Sequence, residues 1–132
     1  MRKTTHLLSW LMILTGAGIA LFWVAFFTFD LVPKNAPPCY LAFEHAFPPP
    51  DGLLALGLIA AGVLTLTGRP AGRSLSLVCA GGLLFLGVID ISFNFQNGIY
   101  GLGFGEMLSM AAINLWCVVF GAILAMRPSH QG

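Results

Sequence analysis

The sequence predicts an all-α fold, an integral membrane four-helix bundle of up-down-up-down topology with both termini on the cytoplasmic side. Three observations carry this. Of the 132 residues, 58% are hydrophobic and only 8% charged, well under the usual quarter for water-soluble domains. The apolar residues fall in four runs, each near the ~20 residues that a helix needs to cross a hydrocarbon core of about 30 Å. Basic and acidic residues segregate along the chain instead of mixing. Four spans with short connections consume nearly all of residues 1–132, which therefore form a single transmembrane domain.

The first span covers residues 7–29, behind Arg2 and Lys3. Its length exceeds a signal-peptide core, and its small-residue site Gly18-Ile19-Ala20 lies in mid-run, so it reads as a retained signal anchor. Residues 30–52 form the longest polar interval. Pro33, Pro37, Pro38 and the run Pro48-Pro49-Pro50 deny it a continuous helix. Between these prolines, residues 40–47 suit a short interfacial helix in the first outer loop, with Tyr40, Phe43 and Phe47 along one side.

The second span covers residues 53–67, and Pro49 or Pro50 is admissible in a preceding first turn. It ends at the tight basic turn Gly68-Arg69-Pro70-Ala71-Gly72-Arg73. The third span covers residues 74–93. A glycine-rich turn follows over residues 97–105, and the fourth span covers residues 106–126 before Arg127 and Pro128. Small residues in these runs, Gly57 with Ala61, Gly81 with Gly82, Gly87 and Gly121, suit close helix packing in lipid.

Cytoplasmic loops carry the excess of Lys and Arg. Arg2, Lys3, Arg69, Arg73 and Arg127 fall on one side of such a bundle and Lys34 on the other. That vote gives N-in and C-in, in the plasma (inner) membrane of a bacterium. All five acids, Asp30, Glu44, Asp51, Asp90 and Glu106, then sort to the outer side. Acidic residues contribute little to orientation, so their sorting points to function.

Asp90, Asn94 and Asn97 are spaced i, i+4, i+7 and share one helical face. At 1.5 Å per residue Asp90 stands about 25 Å from Arg73, and Glu106 about 31 Å from Arg127, so both acids reach the outer boundary of the hydrocarbon. Glu106 and Asn114 lie about 80° apart around their helix, and Asn114 is too deep to face lipid cheaply. With Glu44 and His45 from the first loop these residues compose an outward-opening polar pocket. The competing reading is that Asn94 and Asn97 cap the third helix while Glu106 answers the macrodipole of the fourth. Trp23 and Trp116 lie deep enough to need hydrogen-bond partners or a lipophilic ligand.

Other chemistries find little footing. Glu44, His45 and Asp51 are candidate metal ligands, without the spacing of an established motif. Three cysteines at 39, 79 and 117 include no C-x-x-C. The run Asn97-Gly-Ile-Tyr-Gly-Leu-Gly-Phe-Gly-Glu106 lacks the strand and lysine of a phosphate loop, and no basic stripe serves nucleic acid. Mid-span charge of the kind coupled transporters carry is missing.

Three functions fit what remains. The first is a small non-enzymatic membrane protein that packs in a larger membrane complex or homo-oligomer, or binds a lipophilic molecule. The second is an interfacial enzyme on a lipid-like substrate, with Asp90 and Glu106 as acid and base and His45 assisting. The third is divalent-cation binding or transport at the outer acidic cluster. No cofactor is specified by any motif, and the bilayer is the one partner the composition requires.

Overall fold

A computed structural model describes residues 2–128. They form five α-helices, with no strand among the described residues: α1 Arg2–Phe29, α2 Cys39–Glu44, α3 Pro48–Leu66, α4 Ala71–Gln96 and α5 Phe104–Met126, with one turn of 3-10 helix at Ile99–Gly101. Four segments are long and apolar enough to cross a membrane, one of them the consecutive pair α2 and α3 over Cys39–Leu66. Their outward faces carry large exposed apolar side chains, among them Leu21, Val24, Leu53, Val78, Phe85 and Leu115, as a lipid-facing surface requires.

The ends of these helices follow local rules. α1 stops at Phe29, and Asp30 takes the left-handed conformation (φ 53°), which Asp tolerates because its short side chain bonds locally. All three prolines at 48–50 lie in the first turn of α3, where backbone N–H groups lack intrahelical partners and nothing is lost. α3 closes on Gly68 (φ 71°), with the Arg69 N–H returning to the Leu64 carbonyl at 2.8 Å. α4 runs one turn beyond residue 93, so Asn94 is helical and Asn97 is the C-cap.

Each long helix packs mainly on its predecessor: α1 on α3, α3 on α4 and α4 on α5. Contact positions run in opposite senses along each pair. On α1 and α3, a methyl group placed at Gly16 would stand 2.7 Å from the Ala55 carbonyl oxygen, and one at Gly62 2.7 Å from that of Ser9. Gly57 lies against Cys79 between α3 and α4, while Gly87 meets Asn114 and Val118, and Gly121 meets Ala80 and Leu84, between α4 and α5. Backbones approach this closely only where side chains are absent. Gly81, by contrast, faces open space.

The apolar core sits toward the end that holds the Gly68–Arg73 turn. Leu8 and Met12 of α1, Leu58 and Ala61 of α3, Leu83 of α4, and Phe120 and Leu124 of α5 belong to it. All four long helices close together there. At that same end Arg73 of α4 donates from Nη2 to the Arg127 carbonyl at 2.8 Å and from Nη1 to the Pro128 carbonyl at 3.2 Å. These bonds satisfy acceptors that the end of α5 leaves free. Burial and the neighbouring Arg73 charge both lower the proton affinity of Arg127.

Candidate functional site: a cleft between the first and last helices

Away from the core, a cavity of about 1020 Å³ opens between α1 and α5, at the upper end of the usual range for small-molecule sites. Leu14, Ile19 and Phe22 of α1 and Met110 and Ile113 of α5 are among its apolar walls. The two helices are tied across it by one hydrogen bond among those described, from Trp116 Nε1 to Thr15 Oγ1 at 3.1 Å. Trp116 also stacks on Phe120, with ring centroids 4.9 Å apart, which sets it between the cleft and the core.

The far end of the cleft is polar. Glu44 from α2, Asp51 from the first turn of α3 and Asp90 from α4 all line it, together with Tyr40 and Asn94. Those three carboxyl groups are close enough to act on one another electrostatically. The described lining residues include no Lys, Arg or His. Trp23 of α1 donates its indole N–H to Asp51 Oδ2 at 2.8 Å, leaving Asp51 Oδ1 buried and without a partner. Asn94 is 2% exposed, and its Oδ1 likewise has no partner.

α2 is the element that brings Glu44 and Tyr40 inward. Phe43 lies flat on Phe93 of α4, with ring centroids 3.8 Å apart and planes 4° from parallel, and meets Phe47 edge-on at 4.8 Å. With Phe43 held there, the adjoining edge of α2 faces the cleft, and Tyr40 and Glu44, one turn apart, are buried on it. Asp90 and Asn94 are likewise one turn apart on α4 and present a common edge.

Of the residues singled out in the sequence, Glu44, Asp90, Asn94, Glu106, Asn114, Trp23 and Trp116 all line this cleft. Glu106 does so at its exposed rim, with its carboxylate beside Gly103 at the start of α5, where the helix dipole favours an anion. Asn114 is buried and donates to the Tyr100 hydroxyl at 2.8 Å. Asn97 and His45 lie elsewhere. Asn97 donates back to the Phe93 carbonyl at 3.0 Å and accepts from Cys39 at 3.6 Å, so it terminates α4. His45 is exposed and packs against the rings of Phe26 and Phe27.

Sequence reasoning gave Asp51 only a metal role and placed Tyr40 on an amphipathic face without a task. Both belong to the polar end of the cleft. The signal for Asp51 was its position one residue after the proline run, which puts it in a first helical turn aimed back at the loop. Thr15, one of three hydroxyl residues in the apolar run 7–29, gave no hint of its partner 101 residues away. No group of three or more His, Cys, Asp or Glu side chains converges to hold a metal ion among the described residues.

Comparison with protein-family models, curated proteins and solved structures returns no match.

Proposed function

We propose that this chain is a small non-enzymatic membrane protein that holds a lipophilic molecule in the cleft between α1 and α5. The supporting observation is the shape of that cleft, with apolar walls at its side and hydrogen-bonding groups at one end. A molecule with a hydrocarbon body and a polar head matches both parts. It would enter sideways from the bilayer, between two helices that share little packing, without passing through water.

In this reading the four spans cross up-down-up-down in the inner membrane of a bacterium, with both termini and the Arg69–Arg73 turn in the cytoplasm. α2 lies at the outer interface and covers the polar end of the cleft. The excess of Lys and Arg at the other end supports that orientation. An enzyme employing Asp90, Glu106 and His45 has less support, because His45 packs on Phe26 and Phe27 outside the cleft. Assembly into a larger complex or homo-oligomer is compatible with the reading but adds nothing to explain the cleft.

Gly18 supplies the test. It lines the cleft, and a Cβ placed there meets nothing within 4 Å, so the side chain of G18L starts in open space and its methyl groups fill part of the cleft. The wild-type protein, extracted in discs of its native lipid, is expected to show a retained lipophilic molecule in native mass spectrometry, and G18L to lose it. A wild-type spectrum indistinguishable from that of G18L would overturn the proposal.

A further inference from the structure

Resting on the reading that the cleft takes a lipophilic molecule, we infer that the head group of this molecule is a cation bearing N–H donors, an amphiphilic ammonium. The polar end of the cleft holds more acceptors than donors. Glu44, Asp51 and Asp90 bring six carboxyl oxygens, and Asn94 adds its amide oxygen. Against these seven oxygens, the Trp23 N–H is taken by Asp51 Oδ2 and the Asn114 amide by Tyr100, which leaves the Tyr40 hydroxyl and the Asn94 amide nitrogen as the donors of this end. The described lining contains no basic side chain.

Asn94 makes the demand specific. Asn94 is among the lining residues, one helical turn from Asp90. It is 2% exposed, and its Oδ1 has no hydrogen-bond partner. Native proteins seldom leave a buried carbonyl unmatched, and where no side chain supplies the donor a water, an ion or a bound group does. Asp51 Oδ1 stands in the same condition. Three carboxyls, one of them with an orphaned oxygen, and the orphaned Asn94 Oδ1 at one end of an apolar cleft call for a group that is both positively charged and rich in N–H.

Candidate head groups separate on that chemistry. A phosphate or carboxylate would set acceptors against acceptors and charge against like charge. A neutral alcohol offers one donor and no countercharge, and a quaternary ammonium offers charge and no donor. Water would satisfy Asn94 and leave the carboxyls without a countercharge. A primary ammonium carries three donors and a full charge, and the aromatic faces of Trp23 and Tyr40, which also line the cleft, attract it further. No described group of His, Cys, Asp or Glu is arranged to hold a metal in its place.

The experiment uses the whole chain in phosphatidylcholine discs and four probes sharing one hydrocarbon chain: hexadecylamine, hexadecyltrimethylammonium, hexadecanol and palmitate. Thermal stabilisation is measured against probe concentration. Hexadecylamine is expected to bind at least tenfold more tightly than each of the other three. D90N and N94L are expected to erase that preference while keeping hexadecanol binding, and N94L, which removes the orphaned oxygen, to melt higher than wild type without probe. Equal binding of amine and alcohol, or a preference that survives in both variants, overturns the head-group assignment and leaves the cleft reading standing. If no probe stabilises the protein and G18L behaves as wild type, the cleft reading itself falls. The probe comparison on the unaltered chain decides the matter even where a variant fails to fold.

Discussion

Trp23 and Asp51, 28 residues apart in the chain, meet in a hydrogen bond of 2.8 Å that fixes the polar end of the cleft to both α1 and α3. The indole is 8% exposed and packs edge-on against Phe22 and Phe26, with centroids 5.1 Å away in each case. Its N–H therefore has little freedom to turn elsewhere. Replacing Trp23 by Phe keeps most of the apolar bulk and removes the donor. W23F is expected to destabilise the protein by about 1–3 kcal/mol, the usual cost of leaving a buried polar group unmatched. D51L should cost less in the W23F background than in wild type, and equal costs in a double-mutant cycle of detergent unfolding would rule out the coupling.

The glycines divide into two groups with opposite expected behaviour. G16A and G62A each drive a methyl group to within 2.7 Å of a carbonyl oxygen on the facing helix, and each is expected to cost about 1–3 kcal/mol through overpacking. G81A and G18A meet nothing within 4 Å. They should be neutral or stabilise by up to about 1 kcal/mol, the gain in helix propensity of Ala over Gly. Melting temperatures of the four variants in one detergent give the comparison, and similar losses at all four sites would contradict it.

Arg73 acts as a clasp on the carboxyl end of α5, through its bonds to the Arg127 and Pro128 carbonyls. R73A is expected to fray the last turn of α5, seen as faster amide exchange at residues 122–126 with little change in α1. R73K retains the charge but not the forked pair of donors, so it should restore only part of the protection. Full protection in R73A would show that the clasp contributes nothing.

Cysteine labelling checks the orientation. Cys39 is exposed at the start of α2, whereas Cys79 is buried and Cys117 half-buried. With N-in and C-in, a membrane-impermeant maleimide should label wild-type protein in intact cells when the outer side is made accessible, and C39S should abolish the signal. Labelling of Cys39 only after the cells are broken would reverse the assignment.

The four long helices were legible because the bilayer imposes a length and a composition that survive any detail of packing. The helix ends were less so. Asn94 and Asn97 both look like capping positions, yet Asn94 stays inside α4 and only Asn97 caps it, since helix polarity alone does not say which of two asparagines ends the ladder. The polar face of Asp90 and Asn94 was visible from spacing. Asp51 and Tyr40 were not, because their place depends on how the proline-bounded loop folds back, and that is decided by the flat contact of Phe43 on Phe93. Likewise Gly57 with Ala61 could be read as a packing pair, while the tighter joints at Gly16 and Gly62 involve residues on different helices that no single-helix motif connects.

Spatial order in this bundle repeats chain order, with each long helix seated on the one before it. Such a protein can be assembled by accretion, every new helix finding its partner already present as it leaves the insertion machinery. The seam between the first helix and the last is the one boundary that this sequence of additions does not fill. Among the described residues it is crossed by one side-chain hydrogen bond, from Trp116 to Thr15. What the cleft admits therefore depends on a seam that lacks the glycine joints of the other three boundaries.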